Sequence, residues 1–96
     1  MGINIIFTKS FGQVIGETTE NLDGSVTVET PCVIQFGHEN IALIPLLGAT
    51  TEKSITLKSD EIMGGKTFEP TTNIRNYYST NFGSTGIQLV TDSPLR

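Results

Sequence analysis

Between Asn40 and Leu47 the chain reads NIALIPLL, and this stretch limits the possible folds more than any other. Laid out as a strand, it points Ile41, Leu43, Pro45 and Leu47 to one side and Ala42, Ile44 and Leu46 to the other. Both faces are apolar, so both need cover. A chain of 96 residues has material for one modest core and little for a second layer. The cover is either another copy of the chain or the polar C-terminal segment folded back. An open strand edge, blunted by proline at a single position, favours another copy.

The rest of the chain reads as strands and tight turns. Fourteen threonines, ten glycines and no tryptophan accompany an apolar content of 36 %. No window sustains apolar residues at helical spacing, which predicts an all-β fold. Strands are expected over residues 3–8, 13–20, 25–36, 40–47 and 54–58, with a short last one around KTFEP. Asn21-Leu22-Asp23-Gly24 is a hairpin signal, because Asp and Gly supply the turn's hydrogen bond and its positive φ. Gly16 inside a strand predicts a bend or a close backbone approach. Pro31 cannot donate to a ladder, so it marks a bulge or a change of partner strand. Bent strands at this spacing suit a small, strongly bent barrel over residues 1–70. Residues 71–96 are polar with scattered aromatics and no clear period, which predicts a flexible arm or one that orders against a partner.

Charge and motif content narrow the function classes. The net charge is −4, and no Lys or Arg falls between Ser10 and Glu52. Contact with a polyanion would therefore come from Lys53, Lys58, Lys66 and Arg75. One Cys and one His cannot make a four-ligand zinc site or a disulfide framework. Cys32, beside Pro31 in an apolar run, reads as a small core residue. The N-terminus has neither a secretory nor a myristoylation pattern, and no apolar run reaches membrane-spanning length, so a cytoplasmic protein is expected. His38 and Glu39 are adjacent in a turn and lack a nucleophile partner. Asp60, Glu61 and Asp23 lack calcium-loop spacing. Gly64-Gly65-Lys66 lacks the spacing of a phosphate loop. These absences predict a non-enzymatic protein without metal or cofactor.

The order TKSFGQVIGE, DG, a strand ending in ETP, IPLL and SDEIM resembles short phage and marine-virus proteins of the Sm-like family, over roughly residues 5–65. The resemblance implies a five-stranded, highly bent barrel whose fourth and fifth strands pair between subunits into a ring, pentamer to heptamer. It also implies binding of single-stranded RNA or DNA by loops facing the pore, in the host cytoplasm if the chain is phage-encoded. On that pattern the first loop offers Asn21 and Asp23, and the loop GATTEK with the strand after it offers Lys53 and Lys58. The Arg-Gly pair and the aromatic of the wider class have no counterpart in these loops. Ile41, Leu43, Ile44, Leu46 and Leu47 are the expected subunit interface. Tyr77, Tyr78 and Phe82, near Arg75, are candidates for stacking on bases. The alternative from another class is a phage assembly module that docks a protein partner.

Overall fold

A computed structural model describes residues 2–82. The elements are β1 (Gly2–Thr8), β2 (Gly12–Glu20), β3 (Val26–Phe36), β4 (Ile41–Pro45), β5 (Ser54–Leu57), a 3-10 turn (Ser59–Glu61), β6 (Ile62–Phe68) and α1 (Thr72–Phe82). The all-β expectation holds, with six strands where the family resemblance implied five. All pairs are antiparallel, along the path β4-β3-β2-β1-β6, and β5 also pairs with β3. Among the described residues no helix is long and apolar enough to cross a membrane.

One strand organises the whole sheet. The first part of β3 pairs with β5 (Val26 with Leu57, Glu29 with Ser54), and the second part pairs with β4 (Cys32 with Pro45, Phe36 with Ile41). The change of partner falls at Thr30-Pro31, where the sequence predicts it. Against β2 the register steps from Ile15–Cys32 to Glu17–Glu29, so three residues of β3 oppose two of β2. That extra residue is a bulge, and Thr30 occupies it at φ 51°. A one-residue slip moves every following side chain to the other face. Val26 and Val28 accordingly face one side, and Cys32 and Ile34 face the other.

The slip divides the interior into two apolar clusters. One holds Ile6, Val14, Val26, Val28, Leu57 and Ile62. The other holds Ile5, Ile15, Cys32, Ile34, Leu43 and Tyr78, with Ile3, Ile41, Ile74 and Phe82 against it. Gly16, opposite the bulge, carries out the close approach expected of it. A Cβ there would collide with Val28 Cγ1 and lie 2.9 Å from the Glu29 carbonyl.

The cover over β4 is α1. Residues 72–82, expected as part of a loose polar arm, form a helix packed on the chain's own sheet; residues 83–96 of that arm lie outside the described residues. Ile74, Tyr78 and Phe82 recur every four residues, so they fall on one helical face and meet the second cluster. Thr71 precedes the helix, and its hydroxyl accepts the Ile74 N–H at 3.4 Å, in the manner of an N-cap. Tyr78 is fully buried, and its hydroxyl donates toward the carbonyls of Thr30 at 2.8 Å and Glu29 at 3.2 Å. The bulge thus leaves carbonyls turned from the ladder, and the helix supplies their donor. The segment after β4 secures the same point: Lys53 O accepts the Thr30 N–H at 2.7 Å, and Pro31 O accepts the Leu46 N–H at 2.9 Å.

This packing corrects the expected interface in part. Leu43 is only 7 % exposed and lies beneath α1, with Ile41 half-buried beside it, so both serve the chain's own core. Leu46 and Leu47 lie beyond the end of β4 and are half-buried. Ile44, on the opposite face of β4, stays 43 % exposed. Tyr78 is fully buried and cannot stack on bases; Phe82 is half-buried with its ring centroid 5.9 Å from that of Tyr78, and Tyr77 remains exposed.

Candidate nucleic-acid interface

The turn that precedes β3 and the turn that follows β5 meet at one end of the sheet. Asn21-Leu22-Asp23-Gly24 joins β2 to β3, and the Asn21 carbonyl accepts the Gly24 N–H at 3.1 Å. Gly24 has φ 90°, and a Cβ on it would stand 3.4 Å from Ser59 Cβ. The hairpin turn therefore rests on the start of the 3-10 turn, at Ser59, with Lys58 just before it. A third turn joins them: Glu61 O accepts the Lys9 N–H at 3.0 Å, and the Glu61 carboxylate accepts the Ser10 N–H at 2.6 Å.

The residues expected to touch nucleic acid fall into two groups. Asn21, Asp23 and Lys58 share this end of the sheet. Lys53 does not, because it sits beside Thr30 at the bulge, five residues before Lys58 and roughly 16 Å away along an extended chain. GATTEK is therefore not the partner loop of the hairpin turn. Lys58–Glu61 fills that place, since Leu57 pairs with Val26 beside the hairpin turn.

Asn21 and Asp23 are largely committed to the turn itself. The Asn21 amide donates to Ser25 Oγ at 3.0 Å and Thr27 Oγ1 at 3.2 Å. The Asp23 carboxylate accepts the Ser25 hydroxyl at 2.6 Å and the Ser25 N–H at 3.0 Å. These bonds favour its charged form and hold its pKa below the usual carboxylate range. Hydrogen bonds from Ser10 lower Glu61 in the same way. Both carboxylates stabilise their turns as anions.

Between the turns lies a cleft of about 250 Å³, lined by Asn21, Ser25, Ser59, Gly65 and Lys66, with Glu20, Gly24, Val26 and Ile62. Lys66 reaches it through an irregularity in β6. From Ile5 to Phe7, β1 advances two residues, while β6 runs back five, from Phe68 to Met63. Gly64 and Gly65 take φ 82° and 70° within that excursion, a conformation that side chains resist. The glycine pair before Lys66 is thus a strand bulge that re-aims a lysine, which no phosphate-loop pattern describes.

This end holds Lys9, Lys58 and Lys66 against Glu20, Asp23, Asp60 and Glu61, so it is not net basic. Three of these four carboxylates accept hydrogen bonds from their own chain: Glu20 from Thr67 at 3.2 Å, Asp23 from Ser25 and Glu61 from Ser10. Arg75, placed with the lysines in the sequence, instead lines a separate open cleft with Asn4, Thr18 and Glu69. His38 and Glu39 lie at the far end of β3, beside Phe36 and Tyr77. Among the described residues, no three His, Cys, Asp or Glu side chains converge to hold a metal ion. The chain matches no protein-family model and no curated protein.

Proposed function

We infer that this chain is a self-associating Sm-like module that binds single-stranded nucleic acid, RNA first, at the end of the sheet where its turns meet. The observation that carries the reading is the convergence of Asn21, Ser59 and Lys66 around one cleft, with Lys58 on the adjoining turn. Hydroxyl and ammonium donors grouped in this way suit phosphate and sugar oxygens, while the Asn21 amide holds the turn beside them. A single copy offers few charges. Repetition of the cleft around a ring, pentamer to heptamer, would multiply them, and phosphate affinity rises with each contact.

The means of association is the set of open strand edges. Among the described residues β4 and β5 pair only with β3, and β6 only with β1, so each has one edge without a ladder. Ile44 at 43 % exposure flanks the β4 edge, and Met63 at 50 % flanks the β6 edge. Unlike edges that pair head to tail generate closed rings or open filaments. The test has two readouts on the full chain. Ile44→Lys should lower the mass measured by light scattering. Lys58→Glu, which lies outside β4 and β6, should weaken anisotropy binding of labelled oligo-U at low salt while leaving that mass unchanged. A wild-type protein that binds neither oligo-U nor its DNA counterpart at low salt sinks the nucleic-acid reading.

A second reading, an assembly module for a protein partner, rests on a different place. Phe36, 57 % exposed, and Tyr77 line one groove with Ile41 and Ile74, beside His38 and Glu39. A protein with an apolar anchor suits that groove better than a polyanion. Loss of pull-down by Tyr77→Ala with retained oligo-U binding would assign the groove to such a partner.

A further inference from the structure

The face of the sheet that α1 covers continues past the helix. Phe7 pairs with Met63, and Ile5 pairs with Phe68. Paired residues point to the same side, and alternate residues of a strand share a face. Phe7, Met63 and Phe68 therefore extend the face of Ile5. Phe7 is 39 % exposed, and its ring lies 5.0 Å from that of Phe68 at an interplanar angle of 34°. The bulge at Gly64-Gly65 leaves room for this pair, because a Cβ on Gly64 would stand 3.4 Å from Phe68 Cζ. The same bulge sets Lys66 Nζ 5.0 Å from the centre of the Phe68 ring. Lys66 also lines the cleft of Asn21 and Ser59. One lysine thus joins a half-exposed aromatic surface to a polar cleft.

We propose that this junction is a single-nucleotide subsite, in which an unpaired base stacks on the Phe7 ring and the adjoining phosphate is held by Lys66. The proposal rests on the nucleic-acid reading and adds the residues that give it grip. Charge alone does not supply that grip, since carboxylates outnumber lysines at this end. Base stacking is indifferent to net charge and needs an accessible ring, which Phe7 offers at 39 % exposure. Lys66 exchanges its contact with the Phe68 ring for a phosphate oxygen without leaving its place on the bulge.

The test uses the full chain and an oligo-U carrying one 2-aminopurine, whose fluorescence falls when it stacks. Wild type should bind in low salt and quench the probe. Phe7→Leu keeps an apolar side chain against Phe68 and removes the flat ring, so it should weaken binding roughly tenfold or more and lose the quench. Phe7→Tyr should restore both. Lys66→Gln should weaken binding and reduce the slope of log affinity against log salt by about 0.7, as expected for one phosphate contact on a single strand. Wild-type binding that neither Phe7→Leu nor Lys66→Gln alters overturns the subsite and leaves the broader reading intact. No wild-type binding overturns both. A Phe7→Leu protein of reduced solution mass would assign the patch to contact between copies and overturn the subsite also. If Phe7→Leu fails to fold by circular dichroism, Phe7→Tyr and Lys66→Gln decide alone, and an unchanged salt slope in Lys66→Gln is then the overturning result.

Discussion

Tyr78 is the residue on which the two halves of the molecule depend. It is buried in the second cluster and ends on the carbonyls that the Thr30 bulge turns out of the ladder. Tyr78→Phe keeps the packing and strands those carbonyls, which should cost about 1–3 kcal/mol. The urea midpoint should fall with an unchanged slope of the transition. Cys32 sits beneath the same ring, and burial pushes its thiol up to about 12. The neutral thiol is the folded form. Its contribution is therefore complete below the ordinary thiol range and is lost as pH rises from there toward about 12. The native protein should leave Cys32 unmodified by a thiol reagent at pH 8, and urea should expose it. Much at this scale is legible in the sequence. Gly16 and Pro31 each announce a backbone that cannot pair evenly, and Cys32 in an apolar run announces burial. The commitment of Asn21 and Asp23 to Ser25 is harder to foresee, because a turn that satisfies its own polar groups and one that offers them to a ligand use the same residues.

At the scale of elements, α1 decides what the apolar stretch at residues 41–45 is for. A strand apolar on both faces proves only that a cover exists, and the sequence ranks another copy above the C-terminal segment. The helix was readable in the stripe Ile74, Tyr78, Phe82 behind Pro70 and a Thr71 cap. Polar residues and β-prone aromatics around the stripe mask it, so the helix owes its stability to the sheet beneath more than to propensity. Truncation after Pro70 should expose Ile5, Ile15, Ile34 and Leu43 together. The shortened chain should aggregate or bind a hydrophobic dye strongly, and restoring residues 71–82 should reverse this. The lysine cleft shows the opposite limit. Lys58 was placed by its neighbour in the sequence, but Lys66 owes its position to a five-against-two excursion of β6. Two glycines before a lysine signal a turn, without saying which strand it interrupts.

For the whole molecule, the sheet path matters more than any one contact. The order β4-β3-β2-β1-β6 follows from hairpins between neighbours and from the return of β6 to β1. The hairpins are legible from Asn21-Leu22-Asp23-Gly24 and from the turn whose Gly37 N–H donates to Asn40 O at 2.7 Å. The return is a non-local pairing, and strand patterns do not encode it. The path also leaves the molecule with unlike open edges on β4, β5 and β6. The slip at Thr30 has one more effect, on how the fold opens. β2 pairs with both stretches, but residues 26–29 are otherwise held by β5 and the first cluster, and residues 32–36 by β4, the second cluster and α1, with Val33 alone turned to the first cluster. A single strand thus belongs to two units that need not loosen together. Native-state amide exchange should resolve two protection classes along β3, with the break at Thr30-Pro31. Tyr78→Phe should lower the second class more than the first, so that one half of a continuous strand exchanges its hydrogens on a clock the other half does not keep.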